Sequence, residues 1–501
     1  MDFQRSARRL RAAALLPMLA LGLVACGDDD DDNPTEPEGP GTIAEIAAAD
    51  TDLTILVSLL QAAELDLEGD IPEPFTVFAP INTAFDELPT SWTAALLDPA
   101  NQDLLVDILS YHVSAGERLS TSFTDGQAIP TLLDGSDLTV NIEGSNITIT
   151  DLAGRTTSIQ EADILGSDGV MHKTTRVFVP ELDAVEMLRI SGFSTLVSLV
   201  ETAGLTETLE GEGPFTIFAP ENTAFNGLTA PEGEDLTSLL TYHVIAGQAL
   251  TAADLNDGDT FETEQGEIIT VNVDGAAVTV TDANGNVFDV TQADITASNG
   301  VIHGINGVLL PALDITQVAA LYGLTGLLGA VTDAGLGEAL AGGSWTVFSP
   351  TNDVFEALPT DDNGDQVVEG ELLQNILTYH AIDHVTQGGD PILSGDLTAG
   401  DVTMANGDDI TVNIDDGTGA VSLTDALEGS VNVTSTDILA SNGVVHLIDG
   451  LLTPSLDMVD VATLNGFTTL VDLAVGAGLG PVLTDPDANL TIFAPTNEAF
   501  D

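Results

Sequence analysis

TVFAPINTAF, Thr76 to Phe85, is written four times in this chain. It returns as TIFAPENTAF at Thr216 to Phe225, as TVFSPTNDVF at Thr346 to Phe355 and as TIFAPTNEAF at Thr491 to Phe500. The starts lie 140, 130 and 145 residues apart, far above the roughly 20–50 residue period of solenoids and close to the size of one ordinary domain. The chain therefore reads as a row of domains. Within the block, Val77 and Phe78 supply β-branched and aromatic bulk, Pro80 removes a ladder donor and ends the strand, and Asn82 suits the cap of a following helix. Phe85 is expected to point back into the core. The block is thus a buried strand that stops and becomes a helix, a hinge of the fold and not a seat of chemistry.

Outward from the block, each unit opens on a helix. LTILVSLLQAAEL (Leu53 to Leu65), FSTLVSLVETAGL (Phe193 to Leu205), LTGLLGAVTDAGL (Leu324 to Leu336) and FTTLVDLAVGAGL (Phe467 to Leu479) align without gaps, with apolar residues three and four apart. Gly204, Gly335 and Gly478 stand where a left-handed C-terminal cap belongs. Glu64 takes that place in the first unit, so a less sharply defined helix end is expected there. A second amphipathic helix follows the block and ends in Tyr-His. His112, His243 and His380 come four residues after Ile108, Leu239 and Ile376. That spacing sets each imidazole on the apolar stripe in the last turn, where the helix dipole favours positive charge.

Strands come next. LTVNIEGSNITIT, ITVNVDGAAVTVT and ITVNIDDGTGAVSLT alternate apolar and polar residues about glycine-containing turns, the pattern of hairpins with one buried face. ADILGSDGVMH, ADITASNGVIH and TDILASNGVVH then turn at Asp-Gly or Asn-Gly into a strand expected to end at Val179-Pro180, Leu310-Pro311 and Thr453-Pro454. Helices and hairpins mixed within about 135 residues make an α+β domain.

The T-[VI]-F-[AS]-P-x-N-x-x-F block, followed about 30 residues on by Tyr-His and about 60 further by [DN]-G-V-x-H, resembles the fasciclin domain family. All three marks occur in order in three repeats, and the resemblance covers almost everything after the first 40 residues. It implies an α+β fold of tandem fasciclin-like domains, each a β-sandwich wedge with hairpins and packed helices. The implied division is domain 1 at 42–181, domain 2 at 182–312, domain 3 at 313–455 and a truncated domain 4 at 456–501. The truncated domain lacks the Tyr-His helix, the hairpin and the final strand, so it is expected to be a fragment or a partly ordered tail.

The charge balance excludes several functions. The chain has 80 acidic against 9 basic residues, a formal charge of −71. Arg5, Arg8, Arg9 and Arg11 precede the apolar run Ala12 to Ala25, leaving Arg118, Arg155, Lys173, Arg176 and Arg189 for the rest. Nucleic acid and anionic membrane surfaces are repelled by such a surface. Self-repulsion also destabilises the compact state at low salt, whereas near 1 M the Debye length is only about 3 Å. The urea midpoint is therefore expected to rise between low and molar salt, and a flat midpoint would refute the electrostatic argument.

Residues 1–25 read as a lipoprotein signal peptide, too short in its apolar run to span a bilayer. Leu23, Val24, Ala25 and Cys26 look like a lipobox, with Cys26 the lipidated residue; cleavage by an ordinary signal peptidase is the competing reading. Cys26 is the only cysteine, so no intramolecular disulfide can form. Residues 26–41, with Asp28 to Asp32 and three prolines, have the composition of a disordered acidic tether. The expected location is the cell envelope, lipid-anchored and extracytoplasmic, at the outer membrane or cell surface; Gly27 leans toward outer-membrane sorting.

Six of the seven histidines fall on the repeated marks: His112 with His172, His243 with His303, His380 with His446; His384 stands outside. A zinc site needs three or four ligands and a serine hydrolase needs a fixed nucleophile. Neither pattern is present, so no catalytic residue, no metal site and no cofactor is expected. The histidines lie on apolar faces and read as buried, hydrogen-bonded groups. His303 and His446 are followed by Gly-Ile-Asn and Leu-Ile-Asp, but His172 by Lys-Thr-Thr, a departure from the family's H-x-[IV]-[DN] pattern. In animal members of the family the Tyr-His pair and the Asp-Ile element are implicated in adhesion. The resemblance carries this to Tyr111-His112, Tyr242-His243 and Tyr379-His380, and to Asp163-Ile164, Asp294-Ile295 and Asp437-Ile438. DDNGD at Asp361 to Asp365 hints at calcium, but Gln366 and Leu372 break the loop pattern, leaving loose divalent-cation binding by the acidic surface. The expected function is binding without chemistry: cell adhesion or matrix and biofilm association, with a surface glycan, a protein or another copy as partner. The alternative is a carrier or binder of a glycan or of a small apolar ligand held between helix and sheet.

Overall fold

The computed structural model describes residues 40–65, 71–144, 146–360, 367–415, 417–485, 488 and 490–500. The leader, Cys26, the tether up to residue 39 and the Asp361–Asp365 loop lie outside the described residues.

Three times the chain builds the same seven-stranded sheet. In the first unit the order across the sheet is Val113–Ala115, Phe75–Pro80, Gly169–Thr174, Thr156–Leu165, Asn146–Thr150, Asp137–Glu143, Ala128–Pro130. The strand from the repeated block is paired on both sides. It runs antiparallel to Val113–Ala115 and parallel to Gly169–Thr174, with Phe78 opposite His172. All six of its residues are buried, which is why its sequence does not alternate apolar with polar; its one polar side chain, Thr76, is hydrogen-bonded to the Gly116 carbonyl. Val77 and Ala79 face the helices, and Phe78 faces the hairpins.

The long strand Thr156–Leu165 shifts register twice against Gly169–Thr174, and Val287–Ala297 and Ser430–Ala440 do the same against their partners. These bulges bend the sheet into a wedge with two cores. One, between its leaves, holds Phe78, Tyr111, Leu138, Val140 and Phe178. The other lies under the helices around Leu56, Leu59, Leu105 and Ile108.

Several expectations are corrected. Each unit opens not on the helix read from the sequence but on a shorter one before it: Ile43–Ala49, Ala184–Ile190, Ile315–Leu321 and Met458–Leu464. The signal was present as capping boxes, Thr42 with Glu45, Asp183 with Glu186 and Asp314 with Gln317. After the block comes a 3-10 turn in the first two units, Asn82–Glu87 and Asn222–Phe225, and an α-helix, Asn352–Glu356, in the third.

Asn82 does not cap that turn. Its Oδ1 accepts the Ile55 N–H at 3.0 Å and its Nδ2 donates to the Thr51 carbonyl at 2.9 Å, closing the start of the preceding helix Thr54–Ala62. Asn222, Asn352 and Asn497 accept the N–H of Thr195, Gly326 and Thr469 in the same way. The final strands end at Thr174, Ile305 and Ile448, before the prolines, because the chain leaves the ladder to reach the first histidine of each unit.

The glycine of Asp-Gly or Asn-Gly serves close packing. A Cβ on Gly169, Gly300 or Gly443 would strike the backbone carbonyl of Phe75, Phe215 or Trp345. The residue before it anchors the opening helix. Asn299 accepts the Ala184 N–H and donates to the Leu209 and Gly211 carbonyls, all at 2.8 Å. Asn442 repeats the arrangement with Ile315, Leu340 and Ala341. Asp168 accepts the Ile43 N–H at 2.8 Å, but its Oδ2 is buried without a partner.

The helix of the first unit ends as sharply as the others. Leu65 N–H reaches the Leu60 carbonyl as Leu205 N–H reaches that of Val200, and Glu64 itself adopts φ 52°. A side chain in the left-handed region costs about 1 kcal/mol. Glu64→Gly is therefore expected to stabilise the first unit by roughly 0.5–1 kcal/mol in urea unfolding; no gain would mean that Glu64 is held there by another interaction.

In the fourth unit the helix Thr468–Gly476 forms, but residues 491–496 make no strand and Phe493 is 93% exposed.

Candidate functional site

The Tyr-His marks close the helices Gln102–Tyr111, Gly233–Thr241 and Gly370–Thr378. Tyr111, Tyr242 and Tyr379 are fully buried. Each hydroxyl bonds to backbone: Tyr111 accepts the Leu152 N–H at 2.9 Å, and Tyr242 and Tyr379 donate to the Ile268 and Asp409 carbonyls at 3.0 and 2.8 Å.

The histidine beside each tyrosine uses both ring nitrogens. His112 Nδ1 donates to the Ile108 carbonyl at 2.8 Å and Nε2 accepts the Phe178 N–H at 2.9 Å. His243 bridges Leu239 and Leu309, and His380 bridges Ile376 and Leu452, at 2.8–2.9 Å. A carbonyl only accepts and a backbone N–H only donates, so the ring is fixed as the neutral Nδ1–H tautomer. Burial pushes all three rings down to about 4, against the opposing pull of the carbonyl bond. The positive charge expected from the helix dipole is therefore absent, because desolvation outweighs it.

The second histidine of each unit is neutral in the other tautomer. His172 Nε2 donates to the Arg118 carbonyl at 2.9 Å and Nδ1 accepts the Asp163 N–H at 3.2 Å. His303 and His446 do so with Leu250 and Asp294, and with Ile392 and Asp437. Burial again lowers their pKa values. Asp163, Asp294 and Asp437 all adopt φ 61°, at the bulge of the long strand. That conformation turns the N–H toward the imidazole. It also frees the carboxylate to accept the backbone N–H of Ser120, Ala252 or Ser394, each at 2.7 Å. Ile164 and Ile295 are partly buried and Ile438 is buried. Asp294 is exposed, and Asp163 and Asp437 are half-buried.

The two imidazoles of a unit do not meet. In the first unit the rings run His172, Phe78, Phe178, His112, with neighbouring centroids 5.5, 5.9 and 5.0 Å apart. Among the described residues no group of three or more His, Cys, Asp or Glu is placed to hold a metal ion. His384 has its own task. Thr76 and Thr216 give their hydroxyl protons to the Gly116 and Gln248 carbonyls, whereas in the third unit the partner is His384 Nε2, 2.9 Å from Thr346 Oγ1.

The basic side chains are engaged as well. Arg155 pairs with Asp151, Lys173 with Asp50 and Glu161, Arg176 with Glu87, and Arg189 with Glu201. Arg118 bonds to Ser114 and Ala115.

Sequence reasoning missed a buried carboxylate in each unit. Asp151, Asp282 and Asp425 close the second hairpin strand and accept the N–H of Val179, Leu310 and Thr453. The signal was the Thr-Asp pair ending each of these strands, Thr150-Asp151, Thr281-Asp282 and Thr424-Asp425.

With this geometry in view, comparison with known proteins is direct. The fasciclin domain model matches residues 51–180, 191–311, 323–454 and 465–501. The chain belongs to the fasciclin domain family. It is similar to the transforming growth factor-beta-induced protein ig-h3 of Sus scrofa, at 28% identity over 455 residues, 87% of this chain and 61% of the relative. Human periostin is 27% identical over 76% of this chain and 43% of its own length. Protein sll1483 of Synechocystis sp. is 45% identical over 130 residues, 24% of this chain and 68% of that protein. The chain thus spans less than two thirds of the first two relatives. A solved FAS1 domain pair from the insect cell adhesion molecule fasciclin I covers 53% of this chain and 95% of its own, at 18% identity and a TM-score of 0.24.

Proposed function

We propose that the chain is an adhesion protein of the cell surface, held to the envelope by a lipid on Cys26, whose fasciclin domains bind a surface glycan, a protein or another copy of itself in a matrix or biofilm. The observation that supports this reading is the repetition of one closed unit. In each of three sheets the marked tyrosine and histidines spend their polar atoms on backbone of the same unit. Their role is to hold the fold, and contact with a partner falls to the solvent-facing surface around the Asp163, Asp294 and Asp437 bulges. Several weak sites on one tether gain avidity without any single tight contact. Divalent cations bridge acidic surfaces in this arrangement, loosely and without a built site.

Cells displaying the chain are expected to lose aggregation or surface attachment when residues 42–455 are deleted and the leader is kept. Retained attachment would sink the proposal. Removal of one domain at a time is expected to weaken attachment in steps, whereas a single specific site would give an all-or-none loss.

A further inference from the structure

We propose that the second unit carries a binding site for a small uncharged apolar molecule of about benzene size, set between its helices and its sheet and open to solvent at Thr208, Ala246 and Glu264. The cavity measures about 170 Å³, and its walls are chiefly Leu196, Val200, Leu209, Phe215, Ile217 and Leu240. A cavity of about 150 Å³ lined by Leu, Ile and Phe stays dry and takes up benzene or xenon.

Thr208 and Glu264 lie exposed at the mouth, and deeper in the space water has little to hold it. His243 reaches the cavity but has both nitrogens bonded to backbone, so it offers only its carbon edge. Thr241 Oγ1 is bonded to the Thr237 and Ser238 carbonyls. The buried side-chain polar atoms without a partner among the described residues, Asp168 Oδ2 and Asn284 Oδ1, are not in the lining. Glu264 stands exposed at the rim of a chain whose formal charge is −71. An anionic amphiphile such as a fatty acid is repelled at that rim, which restricts the ligand to uncharged molecules.

The third unit is an internal control. Leu327, Val331, Leu340, Val347 and Leu377 build the corresponding walls, yet the space is about 60 Å³. Trp345 stands where the second unit has Phe215, and its indole N–H is fixed on the Ala339 carbonyl at 3.1 Å. One larger ring closes a space that the second unit keeps open, although an unfilled cavity is destabilising.

Benzene is the probe, titrated against the full chain and followed by ligand-observed NMR and by the thermal transition. One benzene per chain is expected to bind and raise the melting temperature, while hexanoate binds at least about tenfold more weakly. Phe215→Trp is expected to abolish binding with the far-UV CD spectrum unchanged. Val200→Leu, which adds one methylene to the wall, keeps the test sound should the tryptophan variant not fold, and is expected to weaken binding by about tenfold. Trp345→Phe is expected to create a second site. The proposal is overturned if benzene does not bind, if binding survives both wall variants undiminished, or if hexanoate binds as well as benzene.

Discussion

Replacing His243 by alanine is expected to destabilise the second unit by roughly 3–5 kcal/mol, among the largest effects of any single substitution outside the apolar core. Two losses combine. The Leu309 N–H and Leu239 carbonyl lose their partner inside the protein, each at about 1–3 kcal/mol, and a cavity replaces the ring. His112→Ala and His380→Ala should behave alike, because the same two bonds recur at 2.8–2.9 Å. His384→Ala is the contrast. That ring answers one hydroxyl at good distance and a carbonyl only at 3.4 Å, so its removal is expected to cost about 1 kcal/mol. Urea unfolding of the four variants decides it: a His243→Ala cost no larger than that of His384→Ala would show that the buried bridge is not what holds the Tyr-His helix to the sheet.

The second large effect is acid destabilisation beginning well above the carboxylate range. His112, His243 and His380 have folded pKa values near 4, below the ordinary 6.5. The unfolded chain therefore binds the protons first as pH falls, and stability drops from about 6.5 down to about 4. The stabilisation is complete above 6.5. At pH 5 each of the first three units has lost about 2 kcal/mol from this histidine alone, and the second histidine, also shifted down, adds to it. Protonation of surface carboxylates works the other way by relieving self-repulsion, but most of it occurs below pH 5 and molar salt suppresses it. In the second unit burial pushes the Glu186 carboxyl up to about 7, so its proton uptake stabilises the fold over the same range and offsets His243. The test therefore belongs to the third unit: its urea midpoint in molar salt, followed through Trp345, should fall between pH 7 and pH 5, and a midpoint that stays level or rises would mean that its rings are charged in the folded state. His→Gln at the first histidine of one unit should remove part of the slope.

What could be read from the sequence follows from the range of the interaction. Helices and hairpins announce themselves through periods of 3.6 and 2 within a dozen residues, and the cap at Gly204 or Gly335 through one residue type. The burial of the histidines was legible because each lies on an apolar stripe. Their tautomers were not, since the bond that fixes His112 comes from Phe178, far along the chain. Asn82 misled for the same reason. A local reading assigns an asparagine after a strand to the next helix, whereas its amide bonds Ile55 and Thr51, which only the folded chain brings near. The left-handed Asp163, Asp294 and Asp437 break a local rule at a bulge, and nothing in the alternation of the strand marks where the register shifts.

The parallel pairing of Phe75–Pro80 with Gly169–Thr174 joins positions almost a hundred residues apart. During synthesis the middle of the sheet stays open until its last strand has left the ribosome, a wait of about 5–20 s at ordinary translation speeds. The near-identical strand of the next domain begins at Phe215, 41 residues after Thr174, so the first sheet has only that short further interval in which to close without a competitor. Correct assembly of so repetitive a polypeptide thus depends on each domain closing before its successor emerges.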